Sequence, residues 1–403
     1  STSSPTTNSA SVNSSLISAS WLTGFHLNSA SDLNNVSYSK YTHLTYSFAE
    51  PTENGTLSLA GSNGDLLPQF VSLAQQNGVK AFVSIGGWYG GRFFSNLVAD
   101  ANRSAFVQTV ANFASNNKLD GIEIDWEYPG EVGACNANTP TDTANLLSFF
   151  QELRATPAGQ KLILTAAAPG RVWETNGNNT LLTGFADVLD YISIMNYDLY
   201  GTFTSTAGPN APLDDACDPT NPQGSARAAV QAWTGAGIPA SKLVLGVPSY
   251  AHTFSVAPAN ASADGFATLA THPAFDAAVF PLGGEDDPAA PTDPATAPRD
   301  VCGQPELPSG VWEYKQLVSS GFVNADGSLA GASGVHRFFD NCSQTPILYN
   351  ETSQEWISYD DPQSFAAKGK FVVQNGLAGF GMYEAADDTN DALLDAIRGG
   401  MGL

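Results

Sequence analysis

Short apolar runs rich in Val, Ile and Leu recur along the chain and alternate with longer stretches whose apolar positions fall three and four apart. The first pattern predicts buried strands and the second predicts amphipathic helices. Strands are expected at residues 16–21, 43–48, 80–85, 121–126, 162–167, 191–195, 243–247 and 379–382. Between them, residues 65–76 read as a helix closed by Asn77-Gly78, and residues 142–155 as a helix with Asp142 as its N-cap. Residues 226–236 and 362–375 repeat the helical pattern. Strand and helix in alternation call for a parallel sheet, and eight such units close most economically into an α/β TIM barrel, (β/α)8.

Two stretches fall outside this rhythm. Residues 1–15 form a Ser/Thr-rich arm without periodicity, expected to be flexible. Residues 251–349 are too long for a loop. They hold strand-like pieces at 310–314, 334–339 and 346–349 and a Pro/Asp-rich run at 283–298. This segment is expected to be a small α+β insertion domain between strands seven and eight. The barrel then comprises residues 16–250 and 350–403.

Composition narrows the function. The 403 residues carry a net charge of −23 with only 14% charged side chains. A basic patch for nucleic acid is therefore not expected. No apolar run reaches the roughly 18 residues of a membrane span. Ser1 reads as a mature terminus left by signal removal, and sequons at Asn13, Asn35, Asn54, Asn102, Asn178, Asn260, Asn341 and Asn350 suit an extracellular, secreted glycoprotein. Cys135, Cys217, Cys302 and Cys342 permit three pairings. Stapling of neighbouring loops favours Cys135–Cys217 and Cys302–Cys342. His26, His43, His252, His272 and His336 show no paired ligand spacing, so neither a metal nor another cofactor is expected.

The fourth strand carries the chemistry. In Leu119-Asp120-Gly121-Ile122-Glu123-Ile124-Asp125-Trp126-Glu127-Tyr128-Pro129-Gly130, strand alternation puts Glu123, Asp125 and Glu127 on one face and Ile122, Ile124 and Trp126 on the other. A solvated acidic edge would not carry Ile-X-Ile behind it. Stacked carboxylates raise one another's pKa, which suits acid catalysis at a barrel's C-terminal face.

This stretch resembles the DxxDxDxE signature of glycoside hydrolase family 18, matched here by Asp120, Asp125 and Glu127. Ser84-Ile85-Gly86-Gly87-Trp88 is similar to that family's SxGG motif, and Met195-Asn196-Tyr197-Asp198 to its Met-x-Tyr-Asp. The resemblance runs from Leu16 to Asp388 and implies a retaining, substrate-assisted chitinase. Glu127 would be the general acid, with Asp125 and Tyr197 holding the acetamido group and Asp198 binding the sugar in the cleaving subsite. Trp88, Tyr250 and Tyr383 are expected to contact substrate, with Trp21, Phe25, Phe48, Met195, Gly87 and His252 as further candidates. The implied partner is chitin or chito-oligosaccharide, with the protein a monomer.

Three positions depart from the resemblance. Glu123 replaces the family's middle Asp, Tyr383 a Trp at the floor of the cleaving subsite, and His252 an Arg. The intact Glu127, Asp125, Tyr197 and Asp198 favour a chitinase with lowered turnover. The departures favour the rival, a lectin that holds the oligomer uncut.

Overall fold

The computed structural model describes residues 16–178, 180–216, 222–291 and 293–403. The N-terminal arm and Cys217 lie outside them. Eight parallel strands form the barrel: Ile17–Thr23, His43–Pro51, Lys80–Gly86, Gly121–Asp125, Ile163–Pro169, Tyr191–Met195, Leu243–Pro248 and Gly379–Tyr383. Each pairs with the next, and Ile17 of the first sits beside Gly379 of the last, so the sheet closes. Ile122 and Ile124 join the apolar layer under the surrounding helices, while Glu123 and Asp125 are buried polar groups of the same strand. The burial expected from the Ile-X-Ile pattern is what holds the acids in place.

The helices fall where periodicity placed them, at Leu67–Gln76, Asp142–Ala155, Ala226–Gly235 and Pro362–Gln374. One detail needs correcting. Asp142 is not the N-cap: Thr141 takes that place, and its side chain makes no capping bond. The fully buried Asp142 carboxylate instead accepts from Thr139 N (2.9 Å), Thr139 Oγ1 (2.7 Å), Ser95 Oγ (2.7 Å) and Gly130 N (3.2 Å). It thereby anchors the turn that follows Glu127.

A second sheet of five antiparallel strands leaves the barrel after the seventh strand. Its spatial order is Val311–Glu313, Tyr250–Ser255, Glu355–Ser358, Thr345–Asn350 and Val335–Asp340. The sheet thus continues to Ser358. Tyr250 begins it only two residues after Pro248, so its edge stands directly on the barrel's C-terminal rim.

The expected disulfides are overturned. Cys135, after the fourth barrel strand, pairs with Cys302 of the inserted segment. Cys342 is disulfide-bonded as well. The expectation treated each cysteine as stapled to a loop of its own region. In the folded chain the narrow turn around the Arg299–Pro305 bridge reaches back over the barrel, where Tyr89 also donates to Asp300 (3.3 Å). The bridge therefore ties insertion to barrel.

Candidate active site

Close approach at the strand ends comes first. Gly86 has φ +122°, and a Cβ there would lie 1.9 Å from the Asp125 carbonyl oxygen. Only glycine lets the third strand lie this close to the fourth. The neighbouring second strand shifts register between Ser47 and Ala49, and Phe48 at that irregularity lines the cavity beside Gly87. The Ser47–Phe48, Glu127–Tyr128 and Tyr383–Glu384 peptide bonds, all cis, lie at or beside strand C-termini around this cavity.

The three acids have different surroundings. Glu123 accepts from Trp21 Nε1 (2.6 Å), Ser84 Oγ (3.1 Å) and Ser193 Oγ (3.2 Å), donors from three other barrel strands. Burial raises its pKa to about 7, against the pull of those three hydrogen bonds. Asp125 is buried, and its Oδ1 has no hydrogen-bond partner. Burial, then the charges of Glu127 and Glu123, push its carboxyl well above the usual range. Glu127 is raised to about 7, first by burial and further by the charge of Asp198, while a hydrogen bond from Tyr128 opposes both. A carboxyl at that value still carries its proton in mildly acid solution, so Glu127 can act as an acid there.

The rate should follow. With Glu127 as proton donor, kcat/KM is expected to hold on the acid side and fall as pH rises through about 7, approaching tenfold per unit. A pH–rate profile checks this. A rate that climbs from pH 6 to 8 would remove Glu127 from the role.

Around the acids stands a wall of rings. Tyr383 is central: its ring lies 5.9 Å from Trp21, 6.2 Å from Tyr197, 6.2 Å from Tyr250 and 6.5 Å from Phe48. Phe25 and Trp88 are about half exposed at the rim. These six rings other than Tyr383, with Met195, Gly86, Gly87, Asp125, Glu127 and Asp198, line a cavity of about 470 Å³ that Tyr383 also faces. A second cavity of about 610 Å³ opens beyond Tyr128 toward Arg171, Phe203 and Gln223. The two share Glu127, Met195, Tyr197 and Asp198. Glu127 therefore sits at the junction of one continuous cleft.

Asp198 lies at the rim with φ +57°, a backbone region that Asp tolerates better than most residues. Its Oδ1 accepts from Tyr250 OH (2.8 Å) and contacts His252 Nε2 (2.6 Å). Its backbone N–H donates to Asn210 Oδ1 (2.7 Å). His252 thus touches the carboxylate next to the cavity and is not among the cavity's lining residues.

Asp120 and Ser84 are structural in different ways. Asp120 sits at the opposite end of the fourth strand, accepting from Ala81 N (3.0 Å) and Gln75 Nε2 (3.0 Å). Ser84 donates to Glu123 beneath the cleft and does not line it. Sequence reasoning missed Glu50, Tyr89, Arg171 and Asn210. None of these carries a motif of its own: Glu50 lies at the end of the second strand, Tyr89 and Arg171 lie on loops that line the cleft, and Asn210 reaches it only through the Asp198 backbone.

The fold and this constellation define a (β/α)8 barrel with a buried acid ladder under an aromatic cleft, and comparison with known proteins places it. The profile of glycosyl hydrolases family 18 matches residues 20–388, and the chain belongs to that family. It is 43% identical over 376 residues to a chitinase-like effector of Moniliophthora perniciosa, covering 91% of this chain and 83% of that one. A chitinase-like effector of Moniliophthora roreri is 44% identical over 378 residues, covering 92% and 89%. The crystal structure of a chitinase from Rhizomucor miehei superposes with a TM-score of 0.80 at 30% identity, covering 95% of this chain and 99% of that one.

Proposed function

We propose that this chain is a secreted protein that binds β-1,4-linked N-acetylglucosamine oligomers and hydrolyses them with retention, slowly. The observation that carries the reading is the position of Glu127, raised to about 7 and shared by both halves of the cleft. An oligomer laid through both cavities would bring one glycosidic bond to this carboxyl.

In the proposed step, Glu127 gives its proton to the glycosidic oxygen as the C1–O bond breaks. The substrate's acetamido carbonyl oxygen attacks C1, and an oxazolinium ion forms. The unpartnered Oδ1 of Asp125 accepts the acetamido N–H, which otherwise would remain unsatisfied in the closed site. Water then opens the ring, its proton returning to Glu127. The disulfides support an oxidising compartment, hence secretion.

A second reading is favoured by one observation. Both oxygens of Glu123 are engaged by Trp21, Ser84 and Ser193, and Asp125 receives no hydrogen bond from it. A ladder without that link would bind the oligomer and leave it uncut. The two Moniliophthora relatives named as effectors fit either reading.

The test is a time course with chitin hexasaccharide, followed by NMR of the fresh products and by calorimetry with chito- and cello-oligosaccharides. Slow release of β-anomers is expected, with cello-oligosaccharides bound at least tenfold more weakly. Equal affinity for both ligands would remove the acetamido role of Asp125. Binding without products would establish the lectin.

A further inference from the structure

Behind the cleft wall lies a second cluster that the proposed chemistry does not use. His26 follows the first barrel strand, and Glu384 and Asp387 follow the eighth. His26 Nδ1 and one carboxylate oxygen each of Glu384 and Asp387 all lie within 4.8 Å of one another. His26 Nδ1 contacts Glu384 Oε1 directly and lies 3.8 Å from Asp387 Oδ1.

Two facts separate this cluster from an ordinary acidic patch. Asp387 is only 3% exposed, and its Oδ1, the atom facing the imidazole, has no hydrogen-bond partner. A buried carboxylate oxygen left without a donor is costly, and such groups in folded proteins are normally paired or coordinate a metal. On the other side of the ring, Glu313 Oε1 of the inserted sheet lies 3.7 Å from His26 Nε2. Glu313 is 4% exposed, its Oε2 pairs with Lys315 Nζ (2.6 Å), and its carboxyl group shares a hydrogen bond with Asp286. A carboxylate facing the far nitrogen of a histidine is the usual arrangement behind a metal-binding imidazole, because it fixes the ring and its tautomer.

We propose that His26, Glu384 and Asp387 form a site for a first-row divalent cation of the zinc or manganese class, with Glu313 positioning the imidazole. On binding, Nδ1 releases its proton to solvent and its lone pair goes to the cation. One nitrogen and two carboxylates match zinc or manganese, whereas calcium takes six to eight oxygens. Ligands of one such ion stand about 3–4 Å apart, so small side-chain rotations close the set. A cavity of about 430 Å³ lined by His26, Lys315, Ala385, Ala386 and Asp388 connects the ring to solvent.

The place of the cluster gives the ion its role. Phe25 precedes His26, Tyr383 precedes Glu384, and Glu313 pairs with Tyr250 across the inserted sheet. A cation here would tie the ends of the first and eighth barrel strands together behind the rings of the cleft, with Glu313 of the inserted sheet held against the imidazole.

Equilibrium dialysis of the full chain, stripped with chelator and offered Zn²⁺, Mn²⁺ or Ca²⁺, should show one equivalent of Zn²⁺ or Mn²⁺ bound. Co²⁺ should give a visible spectrum typical of nitrogen and oxygen ligation. Asp387→Asn and His26→Ala should each weaken binding more than tenfold, and Glu313→Gln, which leaves all three ligands in place, by about 10–100-fold. Zn²⁺ should raise the melting temperature of wild type and leave that of Asp387→Asn unchanged. No stoichiometric uptake by wild type, or uptake unaltered in Glu313→Gln and His26→Ala alike, overturns the proposal. The first outcome would mean that the His26 proton and Lys315 alone balance the cluster, and the second that the acidic surface binds metal adventitiously.

Discussion

Glu127→Gln is expected to lower kcat on chitin hexasaccharide by about a hundredfold to ten-thousandfold, the range that a positioned general acid supplies, while oligomer affinity stays within a few fold of wild type. Gln has nearly the same shape, so the cleft junction it shares with Tyr197 and Asp198 should persist. It cannot give up a proton to the glycosidic oxygen. The change also removes a charge that helps raise Asp125, so that carboxyl should titrate lower in the variant. Single-turnover kinetics with calorimetry separates the two effects, because a loss confined to kcat marks an interaction made only in the transition state. A variant that retained more than a tenth of the wild-type rate would show that the proton comes from elsewhere, and an equal loss in affinity would make Glu127 a binding group.

Much of this site was legible in the chain because it is written locally. The acids at 123, 125 and 127 lie on one strand, and alternation alone assigns their face. Apolar periodicity likewise located all eight barrel strands to within a few residues. What could not be read was assembled over distance. Asp142 looks like an N-cap by its place before a helical pattern, yet its carboxylate turns back to the Thr139 and Gly130 amides. The pairing of Cys135 with Cys302 depends on how the insertion leans over the rim, which no local pattern encodes. The His26 cluster escapes any search for ligand spacing, because its members lie at 26, 313, 384 and 387 and meet only when the barrel closes. Glu123 shows the difference within one residue. Its identity as a departure from the family was plain from the sequence, but its bonds to Trp21, Ser84 and Ser193 come from strands one, three and six.

Those bonds set the expected outcome of Glu123→Asp, in which stability and rate should move in opposite directions. The shorter side chain withdraws the carboxylate from Trp21 Nε1, now at 2.6 Å, with both residues buried. The two serine hydroxyls can rotate to other acceptors, but the indole N–H has a fixed direction. One buried donor left unpaired costs about 1–3 kcal/mol, and urea unfolding should show a loss of that size. The freed carboxyl can turn along the strand toward Asp125, whose Oδ1 has no partner, and share a proton with it. Turnover should then rise, with oligomer affinity little changed because Glu123 does not line the cleft. Adding Trp21→Phe removes the stranded donor, so the double variant should recover part of the lost stability, a coupling measurable as non-additivity. Stability unchanged in Glu123→Asp would mean that the three donors contribute nothing net at this position. A tenfold fall in turnover would mean that Glu123, held as it is, already serves Asp125 better than the shorter acid could.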